Sequence, residues 1–206
     1  MSTTARLELD VSHLPSTVFG HRGLLWWGTV GFIAIEGTTL VICAVVYFYL
    51  MRNFASWPPE GTPRPDLAIP TVQAALMLLS IPAAVALDRS SRRMDLGAVR
   101  RWMVILSVFV TAFLVLRWFE LKALNVRWDT NAYGSAAWLV VVTHGTLLLL
   151  EWFEAVLFTA MLFIGPVEDR HFSDANDTTL YWIFMTSAWI PLYAAVYLFP
   201  NLHAPG

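Results

Sequence analysis

Residues 24–50 read LLWWGTVGFIAIEGTTLVICAVVYFYL, an apolar run that holds a single charged side chain, Glu36. The run exceeds the ~20 residues that a helix needs to cross a hydrocarbon core. A central Asp, Lys or Arg costs about 2.5–3.5 kcal/mol on insertion scales, so a carboxylate here faces protein, a cavity or a bound polar group rather than lipid. Glu36 is therefore both a membrane signature and a candidate functional residue. The run is too long for the apolar region of a signal peptide, and no small-residue cleavage pattern follows it.

Composition describes the same solvent. Hydrophobic residues make up 57% of the 206-residue chain and charged residues 14%, against roughly 25% charged in soluble domains, and the mean hydropathy is +0.59. A net charge of −2 gives no basic excess for a nucleic-acid backbone. The lone Cys43 lies inside the first apolar run and can form no internal disulfide. Four more apolar stretches predict helices over 69–87, 102–124, 136–163 and 180–199, the second kinked or shortened by Pro82. The fold class read from this pattern is an all-α integral membrane protein of five transmembrane helices. Residues 1–20 read as a tail and 21–206 as one membrane domain.

Basic residues set the expected direction. Arg6, Arg22, Arg89, Arg92, Arg93, Arg100, Arg101 and Arg170 share one side; Arg52, Arg64, Lys122 and Arg127 share the other. The positive-inside rule then places the N-terminus in the cytoplasm and the C-terminus outside. The outer loop 51–68, with Pro58, Pro59, Pro63 and Pro65, reads as stiff and ordered.

Besides Glu36, the spans carry Gln73, Arg117, Glu120, Lys122, His144, Glu151 and Glu154. Arg117 and Glu120 are three apart on one helix face, where opposite charges meet. Glu36, Glu120, His144 and Glu151 are the candidates for proton uptake or for buried polar packing. The residues alone leave three readings open: a structural network between helices, a proton-handling set, and a metal site made by His144 with carboxylates. A di-metal carboxylate bundle would need Glu-x-x-His motifs on two helices, and the chain has none. It also lacks a phosphate-binding glycine loop, a CxxC and a CxxCH. His13, His21, His171 and His203 fall in tails or loops and read as surface or capping residues.

The motifs, taken in order, resemble subunit III of the haem-copper cytochrome c oxidases in its short five-helix bacterial form. Gly31-Phe-Ile-Ala-Ile-Glu36 resembles that family's F-x-x-S-E-x-x-F-F, with Glu36 on the buried glutamate and Ile35 in place of the serine. Trp57-Pro58-Pro59-Glu60-Gly61 resembles W-P-P-x-G, and Ile69-Pro70-Thr-Val-Gln the I-P-L-L-N that follows it. Leu116-Arg117-Trp-Phe-Glu120 resembles L-Q-x-x-E. Tyr133-Gly134-Ser135 with Thr143-His144-Gly145 resembles Y-G-S…F-H-G-L-H, and His171-Phe172…Tyr181-Trp182-Ile-Phe184…Trp189…Leu192-Tyr193…Tyr197 the final helix. Departures are Leu147 and Ile183 at family histidines, Thr186 at an aspartate and Glu151 at a glycine. The longer members' two extra N-terminal helices have no counterpart in the match.

The resemblance implies an accessory subunit without redox cofactors of its own. Haem and copper would sit in partner subunits, above all the catalytic subunit I, with subunit II beside it, in a bacterial cytoplasmic membrane. It also implies a V-shaped bundle, helices 1–2 against helices 3–5, with structural phospholipid in the cleft; Arg22, Trp26, Arg89 and Arg93 are the nominated lipid contacts. Two other functions stay open, an accessory protein of a nitric-oxide reductase system and a stand-alone proton channel or transporter. The latter fits poorly with the absence of an internal repeat.

Overall fold

The computed structural model describes residues 17–202; the rest of the expected N-terminal tail, with His13, and His203 lie outside the described residues. Five long helices cross the molecule: α1 (Leu24–Met51), α2 (Ala68–Arg92), α3 (Leu96–Lys122), α4 (Ala132–Ile164) and α5, which starts at Arg170 and continues through a π-helical turn at Ala194–Leu198 to Leu202. A short 3-10 turn, Gly20–Arg22, leads into α1. No strand occurs among the described residues. All five helices are long and apolar enough to span a membrane. In lipid a helix satisfies its backbone polar groups internally, whereas an open strand cannot. Trp27, Phe32, Ile35, Val41, Ile42 and Val45 leave the outer face of α1 apolar and exposed, as suits a surface solvated by lipid tails.

The helices run longer than the apolar runs that announce them. α2 passes through Pro82 and ends only at Arg92, where the Arg92 guanidinium meets Asp88 one turn back at 3.0 Å. In the turn before the proline, Ser80 Oγ donates to the Met77 carbonyl (2.6 Å) and accepts from Trp182 Nε1 (2.7 Å). The α2–α3 connection is a tight turn: Met94 adopts φ +54°, and the Asp95 carboxylate caps α3 by accepting from the Ala98 amide at 3.0 Å. The largest departure is in α5. Residues 165–179 read as a loop, but helix begins at Arg170. Its polar first turns are buried because they find partners on α2: Thr179 Oγ1 donates to the Ala84 carbonyl (3.0 Å), and Asn176 to the Asp88 carboxylate. Hydropathy sees only polarity there, while the neighbouring helix removes its cost.

The grouping of helices 1–2 against 3–5 is corrected by the packing. α1 packs against α4 and α5, and α2 packs against α3 and α5, so α5 is the common neighbour. The physical reason lies in the 52–67 loop, which carries the chain across the bundle and is tied to the α3–α4 turn. The Asp66 amide donates to the Ala123 carbonyl (2.7 Å), Asn125 Nδ2 to the Arg64 carbonyl (3.0 Å), and Asn131 Nδ2 to Thr62 Oγ1 (2.8 Å). Trp57, in this loop, is buried and sits edge-on to both Tyr47 of α1 (5.4 Å) and Tyr133 of α4 (5.3 Å).

The α3–α4 turn also explains Gly134. Its amide donates to the Asn131 side chain at 2.8 Å, and a Cβ built on it would lie 2.2 Å from the Arg127 carbonyl oxygen. Backbone cannot yield as a flexible side chain does. Gly134→Ala is expected to lower the unfolding midpoint of the purified chain, with a cost of about 1–3 kcal/mol; an unchanged midpoint would show that the turn is free to move away.

Candidate functional site

Two buried polar clusters occupy the interior, and they divide the four sequence candidates between them. In the first, α3 contributes Arg117 and Glu120, one turn apart, and α4 contributes His144. Arg117 Nη1 stands 2.7 Å from Glu120 Oε2, and Nη2 donates to His144 Nδ1 at 2.9 Å. His144 Nε2 donates to the Met185 carbonyl of α5 at 3.1 Å. An imidazole that accepts at Nδ1 and donates at Nε2 is the Nε2–H tautomer. The Arg117 guanidinium lies 3.9 Å from the ring centre of Trp189, which also packs on His144 at 4.7 Å. The Tyr197 hydroxyl donates to the Glu120 carbonyl at 3.2 Å. Gly145, next to His144, leaves room for the Arg117 stem: a Cβ there would come within 3.3 Å of Arg117 Cγ.

Each charge in this cluster meets an opposite charge or a ring face; Arg117 Nε and Nη1 and both Glu120 carboxylate oxygens make no hydrogen bond, the Arg117–Glu120 contact being an ion pair, and Glu120 and His144 have no solvent exposure. The arrangement clamps α3 to α4 and α5. A cation fixed between a carboxylate, an imidazole and an indole is built to hold position.

The second cluster is different. Glu36 of α1, Glu151 and Glu154 of α4, and Asp174 and Asp177 of α5 line one cavity of about 860 Å³ between those three helices. The Tyr181 hydroxyl donates to Glu36 Oε2 at 2.5 Å. Glu151 Oε1 and both carboxylate oxygens of Asp177 are buried without a hydrogen-bond partner. Among the described residues, no lysine, arginine or histidine lines the cavity. Basic groups reach its edge from outside: Arg92, paired with Asp88 at 3.0 Å, acts on Asp177, while His171 and Arg170, the latter paired with Glu168 at 2.9 Å, act on Asp174. Phe32 of α1 and Leu157 and Phe158 of α4, on the same helices as the glutamates, supply the cavity's apolar lining, with Phe32 and Leu157 at its exposed edge.

Glu36 and Glu151 thus share a site, and Glu120 and His144 share another. Sequence reading found the Arg117–Glu120 pair but missed Asp174, Asp177, Tyr181 and Trp189 as partners. A signal for three of them existed: Asp174, Asp177 and Tyr181 stand at i, i+3 and i+7, one helical stripe, whose first two positions were hidden by taking 165–179 as loop while Tyr181 fell in the expected helix. The nominated lipid contacts lie at the arginine-rich end and outside the cavity; Arg22, Arg89 and Arg93 are exposed and Trp26 is half-buried against Trp27 at 4.9 Å. His171 caps the start of α5, its Nδ1 accepting from the Glu168 amide at 2.8 Å. No group of three His, Cys, Asp or Glu side chains among the described residues stands close enough to hold a metal ion.

No family model matches the chain. Its sequence is 27% identical to cytochrome c oxidase subunit 3 of Synechocystis sp., over 96% of this chain and 87% of that protein. It is 23% identical to cytochrome c oxidase subunit 3 of Thermostichus vulcanus, over 83% of this chain and 85% of the relative. A probable cytochrome c oxidase subunit 3 of Nocardia farcinica is 25% identical over 82% and 85%. The resemblance drawn from the motifs is borne out by all three.

Proposed function

We propose that this chain is the accessory, non-redox subunit III of a bacterial haem-copper terminal oxidase, a complex that reduces oxygen with electrons from cytochrome c. The observation that carries the reading is the similarity, running through nearly the whole five-helix chain, to proteins named cytochrome c oxidase subunit 3. The relatives' names favour an oxidase over a nitric-oxide reductase system or a stand-alone channel. Its partners in this reading are catalytic subunit I, which would hold haem and copper, subunit II, and phospholipid at the arginine-rich end through Arg22, Trp26, Arg89 and Arg93. That end would face the cytoplasm, with the C-terminus outside.

The subunit's own contribution, in this reading, is mechanical and protonic. The Arg117–Glu120–His144 cluster holds three helices in register for docking. Glu36 and Glu151, in a cavity without a basic side chain, supply carboxylates that can exchange protons next to the catalytic subunit. Affinity purification of the tagged chain from its membranes tests the assignment. A haem-bearing catalytic subunit identified by mass spectrometry in the same fraction is the expected result; a chain that purifies alone and haem-free overturns it.

Glu36→Gln tests the protonic part. The amide keeps the size of the side chain and its contact with Tyr181 but carries no exchangeable acid proton. The complex should assemble normally and slow about twofold to tenfold, a barrier change of up to ~1.4 kcal/mol, with the loss growing as pH rises because protons become scarce. Turnover curves for variant and wild type that coincide at every pH would leave Glu36 a packing residue.

A further inference from the structure

The acidic cavity between α1, α4 and α5 holds more carboxylates than the proton exchange proposed for Glu36 and Glu151 uses. Its five carboxylates come from three helices, and two of the residues, Glu151 (2% exposed) and Asp177 (4% exposed), carry buried oxygens with no hydrogen-bond partner. Buried carboxylates without donors or cations are costly, and no basic side chain among the described residues lines the cavity. The unpartnered oxygens of Glu151 and Asp177 are thus open to a cation from outside the described residues.

The kind of cation follows from the walls. A bare metal ion needs three or more ligand atoms around one point, and no three acidic side chains converge in that way. An ammonium group has three donors and reaches separate acceptors. The lining beside the acids, Phe32, Leu157 and Phe158, is apolar toward the exposed edge and suits methylene groups rather than water. A phosphate beside the ammonium would face carboxylates with no lysine or arginine to receive it. We propose that this cavity binds an aliphatic ammonium ion, its charged head among Glu36, Glu151 and Asp177 and its alkyl chain along the Phe32–Leu157–Phe158 wall. The site goes beyond the oxidase reading and stands without it.

The test uses the full chain, with whatever co-purifies, in uncharged maltoside micelles, and dodecylammonium as the probe. Native mass spectrometry and titration calorimetry should show one probe bound per chain, with no binding of dodecanol at the same concentration. The double variant Glu151→Gln/Asp177→Asn should weaken binding by about tenfold or more; Glu168→Gln, a surface residue outside the cavity, should not change it. Should the double variant fail to fold, Glu154→Gln, on the exposed side of the wall, should weaken binding on its own. Equal binding of dodecanol, or variants that bind as wild type does, would overturn the site. Displacement of the probe by added phosphatidylethanolamine would overturn the site as drawn, because that lipid's phosphate has no lysine or arginine in the cavity to receive it; retention of the probe against that lipid supports a free aliphatic amine. A zero-length carbodiimide cross-link from Glu151 or Asp177 to a lysine of a co-purifying protein would overturn it, because a partner's side chain would then fill the cavity.

Discussion

Arg117→Met should be the most damaging single substitution in the interior, costing about 3–5 kcal/mol. The guanidinium is 4% exposed and touches three groups at once: the Glu120 carboxylate, His144 Nδ1 and the Trp189 ring. Methionine fills much of the space but leaves Glu120, with no exposure at all, facing an imidazole nitrogen and an indole instead of a cation. The cost comes from that stranded charge more than from the lost contacts. Arg117→Met combined with Glu120→Gln should therefore recover much of the loss, since exchanging a buried pair for uncharged groups is often neutral. Unfolding midpoints in maltoside micelles, with the yield of assembled complex, read both outcomes. A single variant as stable as wild type, or a double variant worse than the single, would show that the pair is not the clamp between α3, α4 and α5.

Trp57→Ala should come next, at about 3–5 kcal/mol. The indole is 8% exposed and stands edge-on to Tyr47 and Tyr133, with Phe54 at 5.7 Å on a third side. It is the wedge by which the proline-rich loop grips α1 and α4 together. Removing it opens a cavity that two tyrosines cannot close without shifting their helices. Trp57→Phe keeps an aromatic edge and should lose less. The readout is assembly and thermal midpoint; a normal yield of complex with oxygen reduction selectively lost would mean that the loop takes part in the chemistry.

The spans were legible because lipid imposes one rule on every backbone, and a run such as 24–50 obeys it visibly. The ends were less legible, since polar residues at 88–92 stay helical by pairing within α2 and, at Asp88, with Asn176, while Asn176 and Thr179 pair across to α2, and pairing across the fold leaves no trace in local hydropathy. Packing order was hidden for a related reason. That α1 lies against α4 and α5 depends on a sixteen-residue crossing, 52–67, whose path is set by hydrogen bonds to the 123–131 turn. Within the site, the i, i+3 pair of Arg117 and Glu120 was readable because one helix contains both partners. Glu36 with Tyr181 was not, because only the folded chain brings residues of α1 and α5 together. Glu151 was singled out from its own helix, while Asp177 was passed over because it lay in a segment taken for a loop.

The separation of Glu36 from Tyr181 bears on how the chain is made. Their hydrogen bond spans 145 positions, so the carboxylate enters the bilayer well before the hydroxyl that will meet it has been synthesised. At ribosomal rates of about 5–20 residues per second, that interval lasts about 7–30 s. For most of it the first helix has neither of its final neighbours complete, and its acid must be sheltered by the insertion machinery or by water at the membrane surface. The last helix to emerge is also the one that touches all the others. Biogenesis of this protein is thus gated at its final step, and a nascent chain stalled before residue 181 would present an unshielded membrane carboxylate for quality-control proteases to read.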